Sequence, residues 1–181
     1  MFAAQQLRKK NIAEYLLYMW QVEDLLRAFH LDFEKLQSKY LNRYTHLSDG
    51  QREQLEDWYR NLIGMMHREG VAESGHLQIN RNVIQNLSEL HARLMTSRKF
   101  PYYRAAYLSA LPVIVELRAK NGKRDENELE TCFAFLYGII LLKIQKKPVS
   151  EPTQRARKTI TAFLGMLSDY YNKDKQEPLE F

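Results

Sequence analysis

Apolar side chains recur every three or four positions along most of the chain, which is the spacing of one buried face of an α-helix. The alternation of apolar and polar residues that indicates a β-strand is nearly absent. The sequence therefore predicts an all-α, single-domain bundle of six or seven helices. Capping residues, prolines and glycines give seven helices in the fullest division: Ala4 to His30, Phe33 to Tyr44, a third that Ser48 caps and Gly70 closes, Leu77 to Arg98, Pro101 to Asn121, a sixth from Asp125 to Lys147, and a seventh that Ser150 and Pro152 open.

The first and sixth predicted helices are expected to be central in this bundle. The first carries Ile12, Leu16 and other apolar residues over most of its circumference, which is typical of a buried helix. The sixth contains the apolar run 132–142. That run begins with Cys132, which we interpret as a small buried side chain rather than a nucleophile.

Length and the absence of targeting features indicate a cytoplasmic protein. The 181 residues suffice for one domain with a sizeable core, which we assign to residues 1–173, leaving 174–181 as a loose C-terminal tail. The N-terminal MFAAQQLRKKN has its charges after a short apolar stretch, which is the reverse of a signal peptide. The longest apolar run, 132–142, is shorter than the about 20 residues that cross a bilayer. We therefore expect no membrane contact.

The formal net charge is +5, and the basic excess lies within residues 99–158. The start of the fifth predicted helix interleaves aromatic and basic side chains, among them Tyr102, Tyr103 and Arg104. Such mixtures can stack bases and neutralise phosphates, so these residues are candidate contacts for nucleic acid or another anion. Lysine also collects at helix C-termini because of the helix dipole, and tyrosines often pack under loops. Four more candidates should cluster where the sixth helix ends and the seventh begins: Lys146, Lys147, Arg155 and Lys158.

Glu23 is the most informative polar residue, because it falls near the middle of the apolar arc of the first helix. A carboxylate taken out of water must find a partner or become protonated. One interpretation is a ligand-binding or acid–base site built from Trp20, Glu23 and Arg27. The other is a structural ion pair between Glu23 and Arg27, whose spacing of four residues suits such a pair.

The motifs that carry catalysis or hold cofactors are missing from the sequence. It contains no glycine-rich phosphate loop, no nucleophile elbow and no HExxH motif. No two of its five histidines are three or four positions apart, the spacings that a metal site within one helix needs. We therefore assign no catalytic residue, metal ligand or cofactor. His91, on the apolar stripe of the fourth helix, is interpreted as a core-edge histidine with one hydrogen bond, or alternatively as a ligand or proton carrier.

Three stretches of the chain resemble an uncharacterised, all-helical bacterial family that is classed only as a domain of unknown function. They are NIAEYLLYMWQVEDLLRA at 11–28, KFPYYRAAYLSALPVIVELRAK at 99–120 and NELETCFAFLYGIILLKIQKKPVS at 127–150. The resemblance covers essentially the whole chain, and it implies a helical fold and a bacterial cytoplasmic setting. It implies no activity, cofactor or functional residue.

The leading functional hypothesis is a non-enzymatic helical binding or scaffolding module. Eleven tyrosines favour protein contacts, so a homodimer through a helical face is the expected assembly. One alternative is a nucleic-acid or anion binder that uses the basic residues of 98–158. Another is a small-molecule-binding protein or enzyme with a pocket near Glu23.

Overall fold

The computed structural model describes residues 1–122 and 126–181, and every regular element in that part of the chain is helical. The all-α prediction is therefore confirmed for the described residues. The elements in chain order are α1 (Phe2–Lys10), α2 (Ile12–Ala28), α3 (Phe33–Lys39), a short 3-10 helix (Leu41–Arg43), α4 (Asp49–Arg68), α5 (Gln78–Thr96), α6 (Pro101–Asn121), α7 (Glu128–Ile144) and α8 (Glu151–Gln176).

The predicted number of helices is too low, because the first predicted helix is two helices that meet at Asn11. The backbone of Asn11 is extended, with φ −153° and ψ 102°. Its side chain caps α2 by accepting hydrogen bonds from the backbone N–H groups of Ala13 and Glu14, both at 3.1 Å. The backbone N–H of Ile12, the first residue of α2, donates to the hydroxyl of Ser168 on α8 at 3.0 Å. Together these bonds stabilise a sharp junction that apolar spacing does not reveal.

The other helix boundaries follow the predicted capping residues with small shifts. Ser48 and Gln51 form a capping box at the start of α4, as predicted. The predicted cap of the sixth helix, Asp125, lies outside the described residues; the side chain of Asn127 caps α7 instead. The second predicted helix ends early, because α3 stops at Lys39 and a 3-10 turn follows.

The core consists of apolar side chains from all eight α-helices of the described part. α2 contacts α1, α5, α7 and α8, and α8 also packs along α6. Cys132 is buried, as predicted, and burial raises the pKa of its thiol to about 12. Within the described residues, no helix combines the length and apolar character needed to cross a membrane.

The C-terminal residues contact the bundle. Asp174 to Gln176, which the sequence pattern places in a loose tail, form the last turn of α8. Beyond it, the backbone N–H of Leu179 donates to Asp174 at 2.8 Å. The ring of Phe181 lies 5.4 Å from that of Phe100, measured between centroids.

Candidate functional site

Glu23 lies in the middle of α2 and is almost wholly buried, with 1% of its surface exposed. Its Oε1 accepts two hydrogen bonds, from the backbone N–H of Leu77 at 2.9 Å and from the amide of Asn80 at 2.7 Å. Its Oε2 lies 2.6 Å from Nδ1 of His76. Both carboxylate oxygens therefore have partners, and all three partners lie at the start of α5 or just before it.

Glu23 acts as the N-terminal cap of α5, because no residue at the start of α5 provides a side-chain cap. The residue at the N-cap position of α5 is Leu77, which has no side chain able to accept a hydrogen bond. A second carboxylate, from Glu69, accepts the next backbone N–H, that of Gln78, at 2.6 Å. Negative charge near a helix N-terminus is stabilised by the helix dipole, so both carboxylates suit this position.

Arg27 does not pair with Glu23, and the predicted ion pair between them is wrong. Its guanidinium bonds to Asp24 at 2.8 Å and donates to the backbone carbonyls of Val71 and Gly75. Glu23 and Arg27 thus hold the two ends of the same loop, residues 71–77, against α2. The pattern of charges within one helix could not show this, because the partners lie more than 40 residues away in sequence.

Trp20 contributes to this cluster through contacts between its ring and other rings. Its ring stacks on His76 with centroids 4.0 Å apart and meets Tyr137 edge-on at 5.6 Å. Trp20 is buried, and its indole N–H has no hydrogen-bond partner among the described residues. The three predicted ligand-binding residues are therefore brought to one place, where each of them contacts the loop 71–77.

The aromatic and basic segment at the start of α6 is only partly on the surface. Tyr102 is 80% exposed, whereas Tyr103 is fully buried and its hydroxyl lies 2.6 Å from Nδ1 of His91. The guanidinium of Arg104 donates to the backbone carbonyls of Met95 and Ser97, at 2.7 and 3.3 Å. Tyr103 is therefore not available to an anion, and Arg104 is committed to the end of α5.

The four basic residues predicted near the junction of α7 and α8 are all exposed: Lys146, Lys147, Arg155 and Lys158. Arg155 forms an ion pair with Glu151 one helical turn away, at 3.0 Å. Lys146 has a left-handed backbone, with φ 55°, at the turn that follows α7. These side chains are accessible to solvent.

His91 belongs to a polar cluster that joins α5, α6 and α7. Burial lowers the pKa of His91, and the nearby Glu128 carboxylate partly opposes that change. Tyr107 donates to Glu128 at 2.9 Å, and burial together with this bond raises the pKa of Tyr107 to about 12. Arg118 lies 3.7 Å from the same carboxylate. The sequence pointed to His91 through its place on an apolar stripe, but it gave no indication of the other members.

The outer face of α6 carries no charged side chain from its first residue to Val115. Its exposed residues are Pro101, Tyr102, Ala105, Leu108, Ser109, Pro112 and Val115. Leu108 and Val115 are 55% and 56% exposed. Solvated helix faces usually carry charges, and an exposed apolar patch often marks an interaction site. The apolar pattern alone does not identify this face, because apolar residues occur around nearly the whole circumference of α6.

In the described part of the chain, no three His, Cys, Asp or Glu side chains are grouped as metal ligands.

Residues 1–178 match the model of a family described as Domain of unknown function (DUF4924). No curated protein and no solved structure matches the chain.

Proposed function

The chain therefore belongs to this family of unknown function, and we propose that it is a non-enzymatic scaffolding module of the bacterial cytoplasm that works as a homodimer. The observation that carries the proposal is the uncharged, exposed face of α6. The burial of Glu23 supports the non-enzymatic part, because the carboxylate that most resembled an acid–base residue is occupied in capping α5.

The spacing along this face is that of a helix-pairing seam. Six exposed residues are separated alternately by four and three positions, which is the a and d pattern of paired helices. We call them the α6 seam: Pro101, Ala105, Leu108, Pro112, Val115 and Ala119. Beyond Val115, the exposed charges of Glu116 and Lys120 pair with each other at 2.6 Å, so they leave no net charge beside the seam.

A second copy of the chain is the occupant that fits the α6 seam best. If two α6 helices cross antiparallel, with the two-fold axis between Leu108 and Pro112, each large residue meets a smaller one. Leu108 then faces Pro112 of the other copy, and Val115 faces Ala105. A two-fold interface pairs a surface with itself, so it needs no complementary charge, and antiparallel helix dipoles attract each other.

The size of the seam indicates a modest affinity. At 1.5 Å per residue, the 21 residues of α6 span about 30 Å. One helix pair of that length lies at the low end of specific protein interfaces. We therefore expect a dissociation constant in the micromolar range, roughly 1–100 µM.

Sedimentation velocity across a concentration series tests the proposal. The wild-type protein should change from monomer to dimer between about 1 and about 500 µM. Leu108→Glu should remain monomeric, because two carboxylates would be buried near the axis. Ile144→Glu makes the same kind of change at an exposed isoleucine outside α6 and should dimerise like wild type. A wild-type protein that stays monomeric throughout, or a Leu108→Glu variant that still dimerises, would overturn the proposal.

The anion-binding alternative has weaker support, since it now depends on exposed basic residues without Tyr103 and Arg104. It predicts oligonucleotide binding whose affinity falls steeply with salt, because neutralised phosphates release counterions. Replacing Lys146 and Lys147 by glutamate should weaken that binding. Absence of binding at low salt would eliminate this alternative.

A further inference from the structure

A cavity of about 380 Å³ lies between α2, α4 and α7, on a side of the protein that the α6 seam does not include. Four tyrosines line it, Tyr18, Tyr40, Tyr59 and Tyr137, and the exposed Ile144 lies at its edge. A smaller cavity of about 200 Å³ shares Tyr18 and Tyr59 with it. We propose that the larger cavity binds a flat, uncharged aromatic small molecule that carries a carbonyl oxygen.

Tyr59 presents an unpaired hydroxyl to the cavity. The residue as a whole is 2% exposed, it lines the cavity, and its hydroxyl has no hydrogen-bond partner among the described residues. The hydroxyl oxygen is not among the fully enclosed atoms, so it is open to the cavity and can donate to whatever occupies that space. Tyr59 lines both cavities, which places this donor between them.

The other phenol groups converge on the same place. The hydroxyl of Tyr44 donates to that of Tyr40 at 3.1 Å, which leaves the O–H of Tyr40 free to donate in turn. Burial raises the pKa of Tyr59, and the neighbouring phenols of Tyr18, Tyr40 and Tyr44 raise it further. The phenols therefore stay protonated at neutral pH and act as hydrogen-bond donors. A ligand with an acceptor oxygen would satisfy them.

The charge of the lining favours a neutral ligand. Asp24 is the one charged side chain among the described residues that line the cavity. Its carboxylate is already engaged, with Arg27 at 2.8 Å and with the hydroxyl of Tyr137 at 2.5 Å. A cation would find no free carboxylate there, and an anion would find no lysine, arginine or histidine among the described lining residues.

The shape and composition of the cavity favour an aromatic ligand of one or two rings. Ligand cavities usually measure roughly 300–1,000 Å³, so this one is at the small end of that range. Tyrosine rings offer faces and edges for stacking, and aliphatic residues such as Leu25 and Leu141 complete the lining. Glu23 is not part of it, because it lies on another side of α2 and faces α5.

The proposal can be tested with three probes of nearly the same size and shape. Coumarin is flat, neutral and has a carbonyl oxygen; naphthalene lacks the oxygen; N-methylquinolinium carries a positive charge. Saturation-transfer NMR detects binding of each probe to the full chain, and titrations give the affinities. We expect coumarin to bind, naphthalene to bind at least threefold more weakly, and N-methylquinolinium to bind at least tenfold more weakly than coumarin.

Two variants locate the site. Tyr59→Phe removes one hydroxyl and should weaken coumarin about threefold to tenfold, the effect of one hydrogen bond, while leaving naphthalene unchanged. Ile144→Trp enlarges an exposed side chain at the mouth and should weaken both neutral probes without disturbing the core. Tyr102→Phe, at an exposed tyrosine on α6, should change nothing.

Four outcomes would overturn the proposal. They are the absence of coumarin binding up to its solubility limit, equal binding of coumarin and naphthalene, binding of the cation at least as tight as that of coumarin, and coumarin binding that neither Tyr59→Phe nor Ile144→Trp weakens. None of these results depends on dimerisation, so the cavity and the α6 seam can fail separately.

Discussion

The carboxylate of Glu23 accepts a hydrogen bond from the backbone N–H of Leu77, and this 2.9 Å contact joins residues 54 positions apart in the chain. It connects the middle of α2 to the start of α5, where no local side chain caps the helix. An acidic residue on the apolar side of a helix is therefore explained by the helix end that it meets. The same contact holds the loop before α5 in place.

Glu23→Gln should destabilise the protein without changing its fold. A neutral amide keeps one acceptor oxygen for Leu77 and Asn80, but it loses the negative charge at the start of α5 and places an N–H₂ group against Nδ1 of His76. We expect a loss of about 1–3 kcal/mol in the free energy of unfolding, because hydrogen bonds to a charged acceptor and the interaction with the helix dipole are weakened. Urea unfolding followed by circular dichroism measures it. Glu53→Gln, on the exposed side of α4, should stay within about 0.5 kcal/mol of wild type, and an equally small change for Glu23→Gln would contradict this role.

Asn11→Ala should weaken the junction between α1 and α2. The alanine cannot accept the two backbone N–H bonds at the start of α2, and it also loses the bond from the hydroxyl of Ser168. The expected loss is about 1–2 kcal/mol, the usual effect of removing an N-cap. The matched control is Asn61→Ala, at an exposed position within α4. If both variants unfold at the same urea concentration, the cap contributes nothing.

His91 should make stability depend on pH in a defined direction. Burial holds its pKa in the folded protein below the ordinary value of 6.5. As the pH falls through the ordinary pKa of 6.5, His91 takes up a proton in the unfolded chain but not yet in the folded protein. The free energy of unfolding therefore decreases. Well above this pH, His91 is neutral in both states and contributes no slope.

His91→Gln removes this titration and should flatten the dependence between about pH 7.5 and about pH 5. His67→Gln changes an exposed histidine and should leave the wild-type slope intact. The measurement is the urea midpoint at a series of pH values for the three proteins. Parallel curves for wild type and His91→Gln would show that the imidazole of His91 titrates alike in the folded and unfolded states.

Much of the fold could be predicted from the sequence, because apolar spacing and capping residues are local properties. The capping box of Ser48 and Gln51 and the start of α6 at Pro101 are examples. The break at Asn11 could not be predicted, since the apolar pattern continues through it. Its stabilising partner, Ser168, lies 157 residues away.

The candidate sites also depend on contacts between residues that are far apart in the chain. Burial of Glu23 followed from its place on the helix, but the identity of its partners depended on how α5 packs against α2. The α6 seam could not be predicted from the sequence. When a helix is apolar on most sides, its pattern does not show which side faces water. The unpaired hydroxyl of Tyr59 could not be predicted, because its place beside a cavity depends on how three helices meet.

Cross-linking of an engineered cysteine shows whether two chains pair through α6. Ser109 lies one position from the proposed two-fold axis, so Ser109→Cys should be joined rapidly to its counterpart by a short bis-maleimide. Ala119→Cys should not, because nine positions from the axis place the two copies about 27 Å apart at 1.5 Å per residue. The native thiol, Cys132, is buried and does not interfere. A covalent dimer from Ser109→Cys alone is the predicted result; no dimer from Ser109→Cys, or equal dimer from both variants, would contradict the antiparallel pairing of α6.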